Sequence, residues 1–205
     1  MGELQNTVYD IFEGVGKFEV PEILPVYEIP KYDKFIEFDY CYRCTRNREK
    51  TGVHFFEDDY KFERCWSNPD RYGELLSKFQ FVVGPDYSMY VEFPTALKIY
   101  NHYRNNWLCR YWQDYFNVCI IPTVLWGHED TFDWCFDGFP KNSVVAVSTV
   151  GLFEDKEMKE LFMNGYNEML RVLNPSKILV YTRTFTPLPG NVEYVAWTIH
   201  KGEQI

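Results

Sequence analysis

"SVVAVSTVGLFEDKEMKELFMNGYNEMLRVLNPSKILVYT", Ser143 to Thr182, decides the fold. Its two ends, 143–150 and 177–182, are short, apolar and rich in β-branched residues, as strands buried on both faces are. Between them Met158, Leu161, Phe162, Met169, Leu170 and Leu173 fall on one face at helical spacing. Acidic residues crowd the first turn, Arg171 lies in the last and Asn174-Pro175 stops the helix, an arrangement that favours the helix dipole.

The same alternation continues outward. "FQFVVG" (79–84) predicts a buried strand ended by Gly-Pro. "NVCIIPTVLW" (117–126) predicts another, which Pro122 bends or deprives of a ladder bond. Pro94 opens a long helix in which Tyr100, Tyr103, Trp107, Tyr111 and Tyr115 recur at helical spacing. This stripe is expected to pack as core in preference to stacking on bases. "NPDRYGELLSKF" (68–79) predicts a short helix with Pro69 in its first turn, and "VEYVAWTI" (192–199) a last strand. The expectation is an α/β fold, a mostly parallel sheet with flanking helices, either open or an abridged barrel. Residues 1–38, punctuated by Pro21, Pro25 and Pro30, read as an extended proline-rich arm over the body, and 39–52 as polar loop. The division expected is 1–52 for arm and loop and 53–205 for the α/β domain.

Composition limits the function classes. Hydrophobic residues make up 46% of the 205 and aromatic residues 19%, which excludes a disordered chain. A net charge of −9 opposes non-specific duplex nucleic-acid binding, which depends on basic side chains. No apolar run approaches the ~18 residues of a membrane span. The N-terminus lacks a basic start followed by an apolar run, so no signal peptide is expected, and the six cysteines read as reduced thiols in a cytosol.

Parallel sheets place ligands beyond the carboxyl ends of their strands. Those ends offer Asp86 and Ser88 in "GPDYS", Trp126, His128, Glu129 and Asp130 in "WGHED", Ser148, Thr149 and Gly151 in "STVG", and Thr182 and Arg183 in "YTRT". If they share one rim, Asp86, Glu129 and Asp137 act as acid and base or hold a divalent metal, and His128 shuttles protons. Arg104 or Arg183 would then pair an anionic group, with Ser88, Asn105, Trp126 and Thr149 lining the ligand. Polar residues also follow any buried strand as it returns to solvent, and Asp137-Gly138 is an ordinary turn signal. "CYRC" sets Cys41 and Cys44 at zinc-knuckle spacing, with Cys65 and His54 as further ligands. A structural zinc site normally takes two such pairs, so no metal is expected there and free thiols in a surface loop are the preferred reading. Neither a P-loop, G-x-S-x-G nor H-E-x-x-H is present, which disfavours P-loop NTPases, common α/β-hydrolases and zincins.

"VHFFEDDYKFERCWSNPDRYGELLSKFQFVVGPDYSMY", "YRNN", "IIPTVLWGHEDTFDWCFDGFPKNSVVAVSTVG" and "GYNEMLRVLNPSKILVY" together resemble domain-of-unknown-function family 4417 of phages and mobile elements of Gram-positive bacteria. The resemblance covers roughly 53–182 and leaves out the proline-rich segment and "CYRC". Asp86, Ser88, Arg104, Asn105, Trp126, Asp137, Gly138, Pro140, Lys141, Asn142 and Ser143 match its motifs. It implies a phage or mobile-element protein in a bacterial host cytoplasm, and no particular reaction.

Two functions follow as expectations. One is an anti-defence or other accessory factor that binds and modulates a host or defence protein through an acidic, aromatic-rich surface. The alternative is an enzyme or small-ligand binder for a phosphorylated or nucleotide-like molecule, with its carboxylates at the strand ends.

Overall fold

The computed structural model describes residues 10–150 and 156–197. Two short strands, β1 (Gly14–Val15) and β2 (Val20–Pro21), form an antiparallel hairpin. There follow β3 (Lys34–Glu37), β4 (Thr51–His54), α1 (Asp59–Ser67), α2 (Pro69–Leu76), β5 (Phe81–Val83), α3 (Thr95–Phe116) and β6 (Ile120–Ile121). The chain closes with β7 (Val144–Ser148), α4 (Lys156–Leu173), β8 (Lys177–Thr182) and β9 (Val192–Ala196). Gly151, the acidic residues Glu154 and Asp155, and the end of the strand expected at 192–199 lie outside the described residues.

The sheet is parallel, as the sequence predicts. β3-β4-β5-β6 and β7-β8-β9 are each parallel throughout and ordered as in the chain. A bridge between Thr123 and Ala146 joins the two groups. Around it the Val124 N–H donates to Ala146 O (2.9 Å) and the Ala146 N–H to Pro122 O (2.8 Å). Pro122 lacks an N–H of its own, so the ladder here rests on its carbonyl and on its neighbours.

Alternation along each strand creates two cores. Ile36, Val53, Phe55, Val82, Ile120, Val145, Val147, Ile178 and Val180 face the helices. Phe81, Val83, Ile121, Val144, Ala146 and Leu179 face the other way, joined by Phe35, Phe56 and Val195. The sheet curls around this second set, so that Tyr181 on β8 reaches His54 on β4 (ring centroids 4.5 Å apart) and Phe35 on β3 (6.2 Å). It remains unclosed: no described backbone pair joins β3 to β9. Both faces are covered, which is why these strands read as continuous apolar runs.

The segment expected to wrap the body also contributes to its interior. Val26, Ile29 and Tyr32 pack on the inner set, and the Val26 N–H donates to Ser143 Oγ (2.9 Å). β3, within the stretch read as arm, pairs in register with β4.

The aromatic stripe of α3 is core only at its centre. Trp107 is 1% exposed, whereas Tyr100 and Tyr115 are 44% and 56% exposed. The helix instead buries Lys98, Asn101, His102, Arg104, Asn105 and Asn106, because it packs against loops whose backbone groups need partners. No helix among the described residues is long and apolar enough to cross a membrane.

Candidate functional site

The inward side of five strands, followed toward the carboxyl end, leads to a single mouth. Glu37, Phe56, Ser148, Tyr181, Arg183 and Trp197 continue the inward alternation of β3, β4, β7, β8 and β9, and all line one cavity of 740 Å3. Asp39, Tyr40, Arg43, Glu57, Asp58, Asp59 and Lys61 complete its acidic wall. Ser88, Tyr90 and Ser148 also line a second, 260 Å3 chamber reaching inward between the ends of β5, β6 and β7 and the flank of α4. Val124, Leu125, Trp126, Val147, Leu161 and Phe162 make most of that chamber apolar, and among the described residues Asp86 and Glu92 are its titratable lining groups apart from Tyr90.

Asp86 is the unusual group. Its Oδ1 is buried without a hydrogen-bond partner. Burial pushes its pKa well above the ordinary carboxylate range, and the charges of Asp59 and Glu57 push it further. Glu57 is itself raised by burial, although the Asp39 N–H and Lys61 counter this. The loop carrying Asp86 is held rigidly. Asn105 accepts from the Tyr87 N–H (2.9 Å) and donates to the Tyr87 carbonyl (3.3 Å), standing in for a strand partner. Ser88 donates from its N–H (3.1 Å) and hydroxyl (2.9 Å) to Asp59, and Asn101 donates to Ser88 O (2.6 Å).

Several residues expected at the ligand are engaged elsewhere. Arg104 makes a two-pronged contact with Glu63 (2.9 and 2.8 Å) and stacks on Tyr87 at 3.4 Å; neither it nor Asn105 lines the chamber or the mouth. Their place is behind the Asp86 loop, which they position. Thr149 donates to the Thr182 hydroxyl (2.6 Å) inside the protein. Trp126 does line the chamber, lying flat on Gly165 of α4.

"WGHED" divides. Past Trp126 the chain turns outward, where the Gly127 N–H donates to Thr131 Oγ1 (3.1 Å). His128, Glu129 and Asp130 are exposed and line a separate recess of 390 Å3 with Phe132, Leu161 and Asn164. Asp137 joins neither group. Its carboxylate accepts the Lys17 N–H (2.9 Å), and its carbonyl meets His102 Nε2 (3.1 Å) and Asn106 Nδ2 (3.2 Å). The rim expected to unite Asp86, Glu129 and Asp137 is therefore split, because Asp137 lies ahead of β7 and not beyond a strand's carboxyl end. The rest of its motif is likewise occupied in holding the fold. Asn142 N–H donates to Leu173 O (2.9 Å), Asn174 donates to the Asn142 side chain (2.7 Å), and Ser143 Oγ exchanges bonds with Val26.

The cysteines correct the surface-loop expectation. Cys41 and Cys44 follow a helical turn, three residues apart on its inner side, and are buried with Cys65. Arg48 draws the loop inward by donating to Cys44 O (2.5 Å) and Cys41 O (3.3 Å). Burial pushes the Cys41 and Cys65 thiols well up, away from the reactive thiolate. His54 points to the opposite face of the sheet, between Phe35, Phe56 and Tyr181, so the four weak ligand candidates do not converge. No group of three or more His, Cys, Asp or Glu among the described residues is arranged to hold a metal ion.

Glu37, Phe56, Glu57, Asp59, Tyr181 and Trp197 escaped the sequence reading. For Glu37 and Phe56 the signal is the period of two carried to or past the ends of β3 and β4, and for Tyr181 and Trp197 the same period along β8 and β9; Glu57 and Asp59 follow from no such alternation.

Comparison with known proteins places this architecture in a family. The model for the domain-of-unknown-function family DUF4417 matches residues 12–195, beginning well before the motif-bearing stretch 53–182. The Gene 1 protein of Mycobacterium phage L5 is 35% identical over 175 residues, covering 83% of this chain and 73% of the relative. The Gene 1 protein of Mycobacterium phage D29 is 35% identical over 180 residues, covering 84% of this chain; the chain spans just 63% of that relative's length. No solved structure matches. With its parallel sheet and the matched span running from the hairpin to β9, the chain belongs to the DUF4417 family, whose relatives found here are phage proteins.

Proposed function

We propose that this protein binds a small molecule in the chamber beyond β5, β6 and β7, with Asp86 as the recognising group, and acts in the cytoplasm of a bacterial host. The observation that carries the reading is Asp86 Oδ1, buried and unpartnered in an otherwise apolar cavity of ligand size. Leaving such an atom unmade costs about 1–3 kcal/mol. A bound donor recovers that cost, and the carboxyl ends of parallel strands are where donors of this kind are received. Native mass spectrometry of the protein incubated with bacterial metabolite extract tests it. A retained small molecule is expected, weakened in Asp86→Asn and lost in Leu161→Trp, which fills the chamber. Retention of none by the folded wild type overturns the proposal.

A second reading, contact with a host or defence protein, draws support from Tyr60 and Tyr90, 76% and 60% exposed. Tyr90 lines the acidic mouth, and Tyr60 follows Asp59 of its wall. Exposed tyrosines beside carboxylates suit a basic partner surface. Replacing Tyr60, which lines neither cavity, by Ser should weaken such contact while leaving small-molecule retention unchanged.

A further inference from the structure

Resting on the small-molecule reading above, we infer that the ligand is a compact organic cation. Its apolar body would lie against Trp126 and Phe162, and its protonated amine on Asp86.

Three observations converge. Asp86 Oδ1 needs a donor, and both a neutral donor and a cation supply one. Asp59 and Glu57 also oppose a charge on Asp86; a proton relieves this in the free protein, and of the two kinds of bound donor a cation offsets it and a neutral one does not. Among the described residues no Lys, Arg or His lines the chamber; Lys98 turns its ammonium to Val91 O (2.9 Å) instead. A phosphate would thus enter with no positive side chain to receive it.

The mouth selects in the same direction. Its acidic residues Glu37, Asp39, Glu57, Asp58 and Asp59 outnumber Arg43, Lys61 and Arg183, and those three bases already have partners. Lys61 faces Glu57 at 3.6 Å, Arg43 lies over Tyr40 at 5.1 Å, and Arg183 over Trp197 at 4.0 Å. The last two contacts show that ring faces in this mouth accept a cation. A cleft lined by an excess of one charge raises the local concentration of the opposite one. On this reading the ligand differs from the phosphorylated, nucleotide-like molecule expected from the sequence. The apolar walls and the 260 Å3 volume set the scale: an aliphatic or single-ring body.

The test uses four probes of one shape family: phenethylammonium, 2-phenylethanol, 3-phenylpropionate and phenyl phosphate. Binding is read from the Trp126 indole N–H in two-dimensional NMR, assigned with Trp126→Phe. Phenethylammonium is expected to shift that signal and to bind at least about tenfold more tightly than the alcohol, a difference of about 1.4 kcal/mol. The two anions are expected to leave the signal in place. Asp86→Asn, nearly isosteric, should stay folded and bind amine and alcohol alike. Alcohol binding as tight as the amine's, or preference for either anion, overturns the cation and leaves the chamber as a ligand site. Silence from every probe at saturating concentration, with the protein folded, overturns both.

Discussion

Protonating Asp86 should stabilise the native state, contrary to the behaviour of most carboxylates. Its native pKa is raised by burial and then by Asp59 and Glu57, so the folded chain holds this proton at a pH where the unfolded chain has lost it. The stability from this group is full below the unfolded carboxylate value, about 4, and falls as pH rises toward the native value. Asp86→Asn is therefore expected to raise Tm at pH 7 and to leave it unchanged near pH 3, as calorimetry at the two pH values would show; a lower Tm at pH 7 would mean that Asp86 is paired. His102 has the opposite sign. Burial pushes it down to about 4 against an ordinary 6.5, so protons bind first to the unfolded chain. Stability is lost as pH falls through that interval, by about 3 kcal/mol once it is crossed. His102→Gln, which can still donate to the Asp137 carbonyl, should flatten this part of the profile in urea titrations between pH 7 and 4.

At the scale of the element, α3 shows why a motif can be shared by a family without touching a ligand. Asn101, Arg104 and Asn105 hold the Asp86–Ser88 loop, while Asn106 donates to Pro21 O (3.2 Å) and Asp137 O (3.2 Å), joining the hairpin to the turn before β7. Within "YRNN", Asn105 and Asn106 serve backbone groups, and Arg104 ties Asn101 of the same helix to Glu63. Arg104→Lys keeps the charge but loses both the Nε–H bond to Asn101 (3.1 Å) and the flat stacking on Tyr87. A loss of about 2 kcal/mol is expected in denaturant unfolding, since the guanidinium is buried while Glu63 is half exposed. A lysine variant of unchanged stability would show that charge alone suffices. On α4, a methyl group at Gly165 would overlap the Trp126 ring. Gly165→Ala should cost about 1–3 kcal/mol by overpacking and displace Trp126 from the chamber wall, moving its indole signal even without ligand.

At the scale of the whole molecule, what the sequence makes legible follows from burial. β5, β7 and β8 announce themselves because both faces are covered, and α4 because only one is. β3 and β4 stay hidden: "KFIE" and "TGVH" are short and mix charged, small and apolar residues, although they pair with the sheet as fully as the others. With them vanished Glu37 and Phe56, hence half of the mouth. Asp86, Ser88, Trp126 and Arg183 were readable because strand ends can be located without knowing register; that Asp137 lies apart follows from its place ahead of β7, whereas its partners Lys17 and His102 are tertiary contacts that no local pattern encodes. The two parallel groups meet at the Thr123–Ala146 bridge, where the Thr123 hydroxyl also donates to Gly84 O (2.6 Å) and the Gly84 N–H to Ile121 O (2.9 Å). Since β3 is paired into the same sheet and Val26, Ile29 and Tyr32 fill its inner face, the N-terminal stretch should unfold with the rest. Far-UV circular dichroism and aromatic fluorescence are expected to give coincident urea transitions, the mark of one cooperative unit. Thr123→Val keeps shape but leaves Gly84 O without this donor, and should lower the midpoint by about 1–2 kcal/mol of stability with unchanged slope. A reduced slope, or two separated transitions in the variant, would show instead that the β3–β6 and β7–β9 groups are independent and that the bridge merely sets them side by side.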